Sequence, residues 1–376
     1  MDHREQVNEL LARANALGHG ETQLALTEEA VRLADRHGDI DAGFEARQDH
    51  IRSTMFSGHP DQMLVAFSWC LAQVDRNPDR FDLARLLWQY KWVINALPEF
   101  PQIERSQIDA MFVDMERRYR AYGSTGQAIQ NKRRGVAIKM GDANAARTAH
   151  DAMASLRRDS LSDCLACEMD EVVQYHGFLG DHDRAVASAA PILRGRYSCS
   201  EVPQVTYAKV LRPLLQLGRG GEAVPHHLQG YRLISRNPAE FICQTAEHIE
   251  FLTLTDNLAR GLRLFEKHLI LAIETCCPGW RFRVYAAAKL LLEQSLRSGR
   301  RMLKLRLPDA FPLKSGANEY DARQMHQWFS DQLLDLAQRF DARNGNDYHT
   351  RLANESEELL KLAVPIPIGS RFDRDA

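Results

Sequence analysis

Apolar positions along this chain recur at three- and four-residue spacing. Leu24, Leu26, Ala30, Val31, Leu33 and Ala34 form one stripe, with Glu28, Glu29, Arg32 and Asp35 opposite. That is the pattern of an amphipathic helix with one face on a core. The same period returns over residues 86–96, 108–119, 172–179, 258–273 and 284–296. Strand-like alternation is confined to the stretch from Met302 to Leu307. The pattern predicts an all-α chain.

The breaks between these segments are evenly spaced. Gly18, Gly58, Gly141, Gly180, Gly218 and Asp256 lie 40, 83, 39, 38 and 38 residues apart. The long interval holds two periods, so one irregular turn is expected near 97–101. Leu97-Pro98-Glu99-Phe100-Pro101 stands there, and two prolines cannot continue a helix. About seven helical hairpins with a period of 38–42 residues are thus expected before residue 278. Such a period belongs to solenoids of paired helices.

The chemistry of the turns resembles the tetratricopeptide repeat. Gly141-Asp142-Ala143-Asn144-Ala145-Ala146 and Gly180-Asp181-His182-Asp183-Arg184-Ala185 both fit that family's turn between its two helices. The Gly allows a left-handed cap on the first helix, and the Asp can cap the second. Five residues beyond each turn, where the family wants a small side chain, stand Gln23, Met63, Ala146, Ala185, Ala223 and Gly261. The resemblance covers about residues 1–275 and implies a right-handed superhelix whose first helices line a concave face. The repeats exceed the family's usual length. Pro213 and Pro191 fall inside expected helices, each of which should kink or shorten.

Beyond Gly299 the pattern changes. Residues 300–318, with Pro308 and Pro312, read as an ordered crossover. Residues 319–341 read as an amphipathic helix carrying Trp328, Phe329 and Phe340, and 347–362 as a second, after the break Asn344-Gly345-Asn346. The expected organisation is a repeat array over 1–299, capping helices within 319–363, and a tail over 364–376. The helices would cover the apolar end of the solenoid.

Composition narrows the function classes. The 48 basic residues nearly balance the 50 acidic ones, which disfavours a general nucleic-acid binder. No apolar run is long enough to cross a bilayer. The segment from Met1 to Leu11 carries Asp2, Arg4, Glu5 and Glu9 and has no signal-peptide core. Seven thinly spread cysteines suit reduced thiols, so a cytoplasmic location is expected. A homodimer is compatible with all of this.

Candidate chemistry is sparse. Cys164 and Cys167 form a Cys-x-x-Cys, yet no second pair completes a four-ligand set; Cys199, His150 and His176 are the nearest additions in sequence. The expectation is packing thiols, no metal and no cofactor, with purified protein holding less than about one zinc per four chains. Cys276-Cys277 reads as free thiols at a helix junction. In the pair His226-His227, one ring should face a neighbouring helix and the other solvent. Lys132-Arg133-Arg134, Arg157-Arg158 and the basic stretch 297–306 read as solvated faces, the last also able to meet an acidic partner. Trp88 and Trp92, one turn apart, read as core. No catalytic motif is present, so no catalytic residue is assigned.

In the family that the chain resembles, ligand contacts concentrate ten and six residues before the turn. Those offsets point to Gln48, Arg52, Asn131, Asp170, Gln174, Arg212 and Glu250. Amide and guanidinium groups suit hydrogen bonding to an extended peptide. The leading expectation is a non-enzymatic scaffold that binds a protein or peptide segment in its concave groove. A second is a peptide- or small-ligand-sensing regulator acting through a partner protein. Because repeats begin by Gly18, no N-terminal helix-turn-helix domain is expected, and any regulation would go through a partner. A third is an enzyme using Cys167, Asp170 and His176.

Overall fold

The computed structural model describes residues 2–369. Its helices pack largely in sequence order, each against the next. These are α1 (His3–Asn15) with α2 (Glu21–Arg36), α3 (Ile40–Ser57) with α4 (Pro60–Arg76), and α5 (Leu83–Ala96) with α6 (Arg105–Ala121). Then come α7 (Gln127–Lys139) with α8 (Ala143–Ala154), and α9 (Leu165–Phe178) with α10 (His182–Leu193). The short helices α11 (Gln204–Lys209) and α12 (Leu211–Gln216) precede α13 (Gly220–Ile234). Helix α14 (Ile242–Leu254) precedes α15 (Leu258–Glu274), and α16 (Pro278–Arg297) follows. Each break marked in the sequence falls inside such a pair, and the two-proline break forms a short 3-10 turn at Leu97–Glu99. No described helix is long and apolar enough to cross a membrane.

Local chemistry explains these boundaries. Gly141 and Gly180 take φ of 76° and 75°, and Asp256 occupies the same left-handed region at 58°. The Asp142 and Asp181 carboxylates accept from the N–H groups of Ala145 and Arg184, capping α8 and α10. Ala146, Ala185 and Ala223 are fully buried where paired helices approach; a Cβ on Gly261 would lie 3.0 Å from Leu291. Gln23 and Met63 are buried at the equivalent positions. The Pro213 ring would collide with the Lys209 carbonyl four residues back, and the helix is interrupted at Val210. Pro191 is instead carried within α10, which ends two residues later.

Contacts of a second kind tie alternate helices together. Helix α1 packs on α3, α3 on α5, α5 on α7, α7 on α9, α9 on α11, α11 and α12 on α14, and α14 on α16. This row of first helices carries the candidate site.

The C-terminal part departs from the sequence reading at both helices. Met302–Lys304 forms strand β1, which pairs antiparallel with β2 (Glu319–Asp321). The long helix α17 therefore runs Ala322–Asn344 rather than 319–341, with Asp321 as its cap. The expected helix over 347–362 is two short ones, α18 (Tyr348–Ala353) and α19 (Ser356–Leu360), interrupted at Asn354. Of the expected tail over 364–376, residues 370–376 lie outside the described residues. Before them, Val364 and Ile366 donate to the carbonyls of Leu254 and Thr255.

The apolar interior divides into two main cores. One joins helices α3 to α7. The other joins α9 to α16 with α17, α18 and α19, and has Phe265, Phe311, Phe329 and Phe340 at its centre. Between the cores the contacts are polar. Arg343 donates to the carbonyls of Pro98, Phe100 and Ile103, Asn346 to that of Met140, and Asn237 to that of Phe56.

Candidate functional site

The first-helix row is lined with paired polar groups, and many pairs span one turn-to-turn interval. Gln89 donates to the Gln48 carbonyl at 2.7 Å, across 41 residues. Arg52 reaches Asn15 across 37, Lys209 reaches Asp170 across 39, and Arg212 reaches Glu250 at 2.7 Å across 38. Each pair bridges neighbouring helices of the row, so the side chains cross-link the stack.

These contacts sort the seven sequence-derived groove residues. Gln48, Asn131 and Asp170 are buried within the chain. Asn131 lies between Asp163 and Arg134, and Asp170 accepts from Thr206 at 2.7 Å as well as from Lys209. Arg52 and Arg212 each keep 37% of their side-chain surface accessible, and Gln174 and Glu250 are half-buried.

The densest charge lies at α7 and α9. Lys91 is buried, with its ammonium 2.9 Å from Asp163, 2.8 Å from the Leu161 carbonyl and 3.2 Å from the Trp88 ring centre. Asp163 also takes Lys132 at 2.8 Å, and Lys132 takes Glu171 at 2.5 Å. Burial alone would raise the Asp163 carboxyl; Lys132 and Lys91 hold it well below the usual range. The basic triplet is thus absorbed, since Arg133 pairs with Glu116 and Arg134 with Asn131. Trp92 packs edge-on to Phe56.

Farther along the row, a cavity of about 260 Å³ opens between α12, α14, α16 and the C-terminal segment. Arg212, Glu247, Glu250, Arg283, Tyr348 and Glu355 line it. Arg212 donates to Glu250 and, at 3.0 Å, to Glu355. Arg283 makes a two-pronged contact to Glu99 at 3.0 and 3.1 Å, and Lys139 meets the same carboxylate at 2.9 Å. One oxygen of Glu247 is buried with no hydrogen-bond partner. Burial, with Glu250 nearby, pushes its carboxyl up to about 7 against the opposing charge of Lys209.

That shift has a testable sign. A carboxyl raised from 4.5 to about 7 is favoured by folding only while protonated. Its stabilising contribution is full below about pH 4.5 and is lost as pH rises towards 7. The groups facing Glu247 are Lys209 from α11, Arg212 from α12, Glu250 on its own helix, Arg283 from α16 and Glu355 before α19. Glu247→Gln is expected to match wild type at pH 4.5 and to exceed its stability by about 1–3 kcal/mol at pH 8. Urea midpoints at the two pH values check this; equal shifts at both would refute it.

The three residues of the enzyme alternative each contact other side chains. The Asp170 carboxylate is bound by Thr206 and Lys209, the Cys167 sulfur meets Cys199, and the His176 ring packs on His150 and Tyr175. His227 is buried against His248, with ring nitrogens 3.0 Å apart, while His226 lies half-buried on Tyr207. A wider groove of about 660 Å³ between α1 and α2 is lined by residues such as Glu28 and Arg32, which pair with each other.

Sequence reasoning missed Glu99, Lys139, Glu247 and Arg283. Opposite charges one period apart would have flagged Lys132 with Glu171. Glu99 and Arg283 are 184 residues apart, and no local pattern links them. The chain matches no protein-family model, and no curated protein is significantly similar to it.

Proposed function

We propose that the chain is a tetratricopeptide-like, right-handed helical scaffold that binds a protein or peptide segment along the concave face formed by its first helices. The supporting observation is that this face already grips a polypeptide segment, its own. Arg212 holds Glu355, and Lys289 donates to the Ala353 carbonyl at 2.7 Å. A carboxylate taken by a guanidinium and a backbone carbonyl taken by an ammonium are contacts that any extended segment can supply. The inter-helix pairs hold the lining side chains extended in advance, which lowers the ordering cost of a second segment.

Residues 353–355 occupy the end near α12 and α16. The partner segment belongs on the stretch where Arg52 and Gln174 remain accessible. The test is a pull-down from native extract with the full chain. The double variant Arg52→Ala, Gln174→Ala is expected to weaken capture of its specific partner by about tenfold or more, the value of one or two charge-assisted hydrogen bonds. The outer-face variant Arg32→Ala, Glu266→Ala is expected to retain it. Loss of the partner with the outer variant alone would overturn the reading.

A further inference from the structure

The linkers between successive helix pairs are short, except for two. Residues 37–39, 77–82, 122–126, 235–241 and 275–277 serve most junctions, whereas 155–164 and 194–203 are ten residues each. These two long linkers are neighbours in space, and their meeting point carries three thiols. Cys164 closes the first linker as the cap of α9, Cys167 follows in the first turn of that helix, and Cys199 stands in the middle of the second linker. The three sulfur atoms lie within 4.8 Å of one another, and those of Cys167 and Cys199 are 3.5 Å apart.

We infer that Cys164, Cys167 and Cys199 form a binding site for one soft divalent cation of the zinc class, which staples the two long linkers together. Zinc bound to thiolates at about 2.3 Å in tetrahedral geometry separates its sulfur ligands by about 3.8 Å. The observed spacing needs only small adjustments to reach that value. Thiolates are the ligands that this class of ion selects. Three protein ligands leave the fourth position to solvent, and the three side chains are each half-buried, so an ion can enter.

A helix N-terminus and backbone donors surround the three sulfurs. Cys164 and Cys167 sit on the N-terminal turn of a fourteen-residue helix, whose dipole favours negative charge. The Cys167 N–H donates to the Cys164 sulfur at 3.4 Å. The backbone N–H groups of Glu201 and Val202 are directed at the Cys199 sulfur. Donors aimed at sulfur from fixed backbone are the outer support that a metal thiolate site uses. Binding would release the thiol protons to solvent. A disulfide would join only two of the three sulfurs. Simple packing would not require donors aimed at them. The proposal replaces the sequence-based expectation of packing thiols, which rested on ligand spacing along the chain and could not place Cys199.

The test uses the full chain, reduced, stripped of metal and then loaded with zinc chloride or cobalt chloride. After gel filtration, elemental analysis is expected to give one metal per chain. The cobalt form is expected to show sulfur-to-metal charge-transfer absorption. Cys199→Ser should weaken binding at least about tenfold, more than the loss of an outer-support group costs. Cys276→Ser, at an exposed thiol away from the cluster, should leave it unchanged. If Cys199→Ser fails to fold, the wild-type stoichiometry and cobalt spectrum still decide. Substoichiometric metal, a cobalt spectrum without sulfur bands, or a Cys167–Cys199 disulfide that persists in the reduced preparation would each overturn the proposal.

Discussion

A chain ended after Gly299 is expected to lose its cooperative thermal transition and to precipitate on expression. The segment from α17 to α19 lies within the larger core. Phe329 is fully buried and meets Phe265, Tyr285 and Phe311 with ring centres 5.1–5.8 Å apart, and Phe340 packs on Phe282 and His349. Truncation exposes the apolar side of α16 and removes these rings together. A single Phe329→Ala substitution should already cost about 3–5 kcal/mol. A domain commonly holds only about 5–15 kcal/mol in total, so the full deletion exceeds it. The segment also bridges the two cores through Arg343 and Asn346, and a Cβ on Gly141 would come within 2.3 Å of the Tyr348 ring. Calorimetry of the 1–299 chain is the deciding measurement. A soluble product with an unchanged transition would mean that the C-terminal helices are an independent arm.

Periodicity was enough to read much of the fold. Helix type, the turn positions and the capping roles of Asp142 and Asp181 follow from local chemistry, because a left-handed Gly and an adjacent Asp act within a few residues. Where local signals compete, the reading slipped. Glu319-Tyr320-Asp321 fits a helix by period, yet pairing with Met302–Lys304 draws it into a strand, a contact that no window can see. The break at Asn354 within the second C-terminal helix carries no Gly or Pro.

The site was less legible than the fold for the same physical reason. Family offsets place residues on the row of first helices, but whether a side chain there meets solvent depends on what packs over it. Asn131 and Arg212 occupy related offsets; one is sealed between Asp163 and Arg134, and the other opens on a cavity. The three-thiol cluster shows the same limit. Cys199 is 32 residues from Cys167 in sequence, and only the packing of α9 with the linker before α11 brings the two sulfurs together.

Glu99→Ala is expected to destabilise the protein by about 3–5 kcal/mol, the cost of removing one partner from a buried ion pair. The Glu99 side chain is 6% exposed and bound by both Arg283 and Lys139, and it stands where one core meets the other. Burial alone would raise its carboxyl, but Arg283 and then Lys139 hold it down to about 2. A depressed carboxyl contributes its stability above the unfolded value of 4.5, and that contribution is lost as pH falls through about 2. Wild type should therefore unfold in acid with a component between those limits that Glu99→Ala lacks. Without the carboxylate, Lys139 and the half-buried Arg283 lose their shared anion, so Glu99→Leu combined with Arg283→Met should recover part of the loss. The exposed pair Arg32–Glu28 is the control, and Glu28→Ala should shift stability by less than about 0.5 kcal/mol. Urea unfolding at pH 7 supplies the comparison. A Glu99→Ala cost as small as the control's would mean that the ion pairs between the two cores carry no net stability.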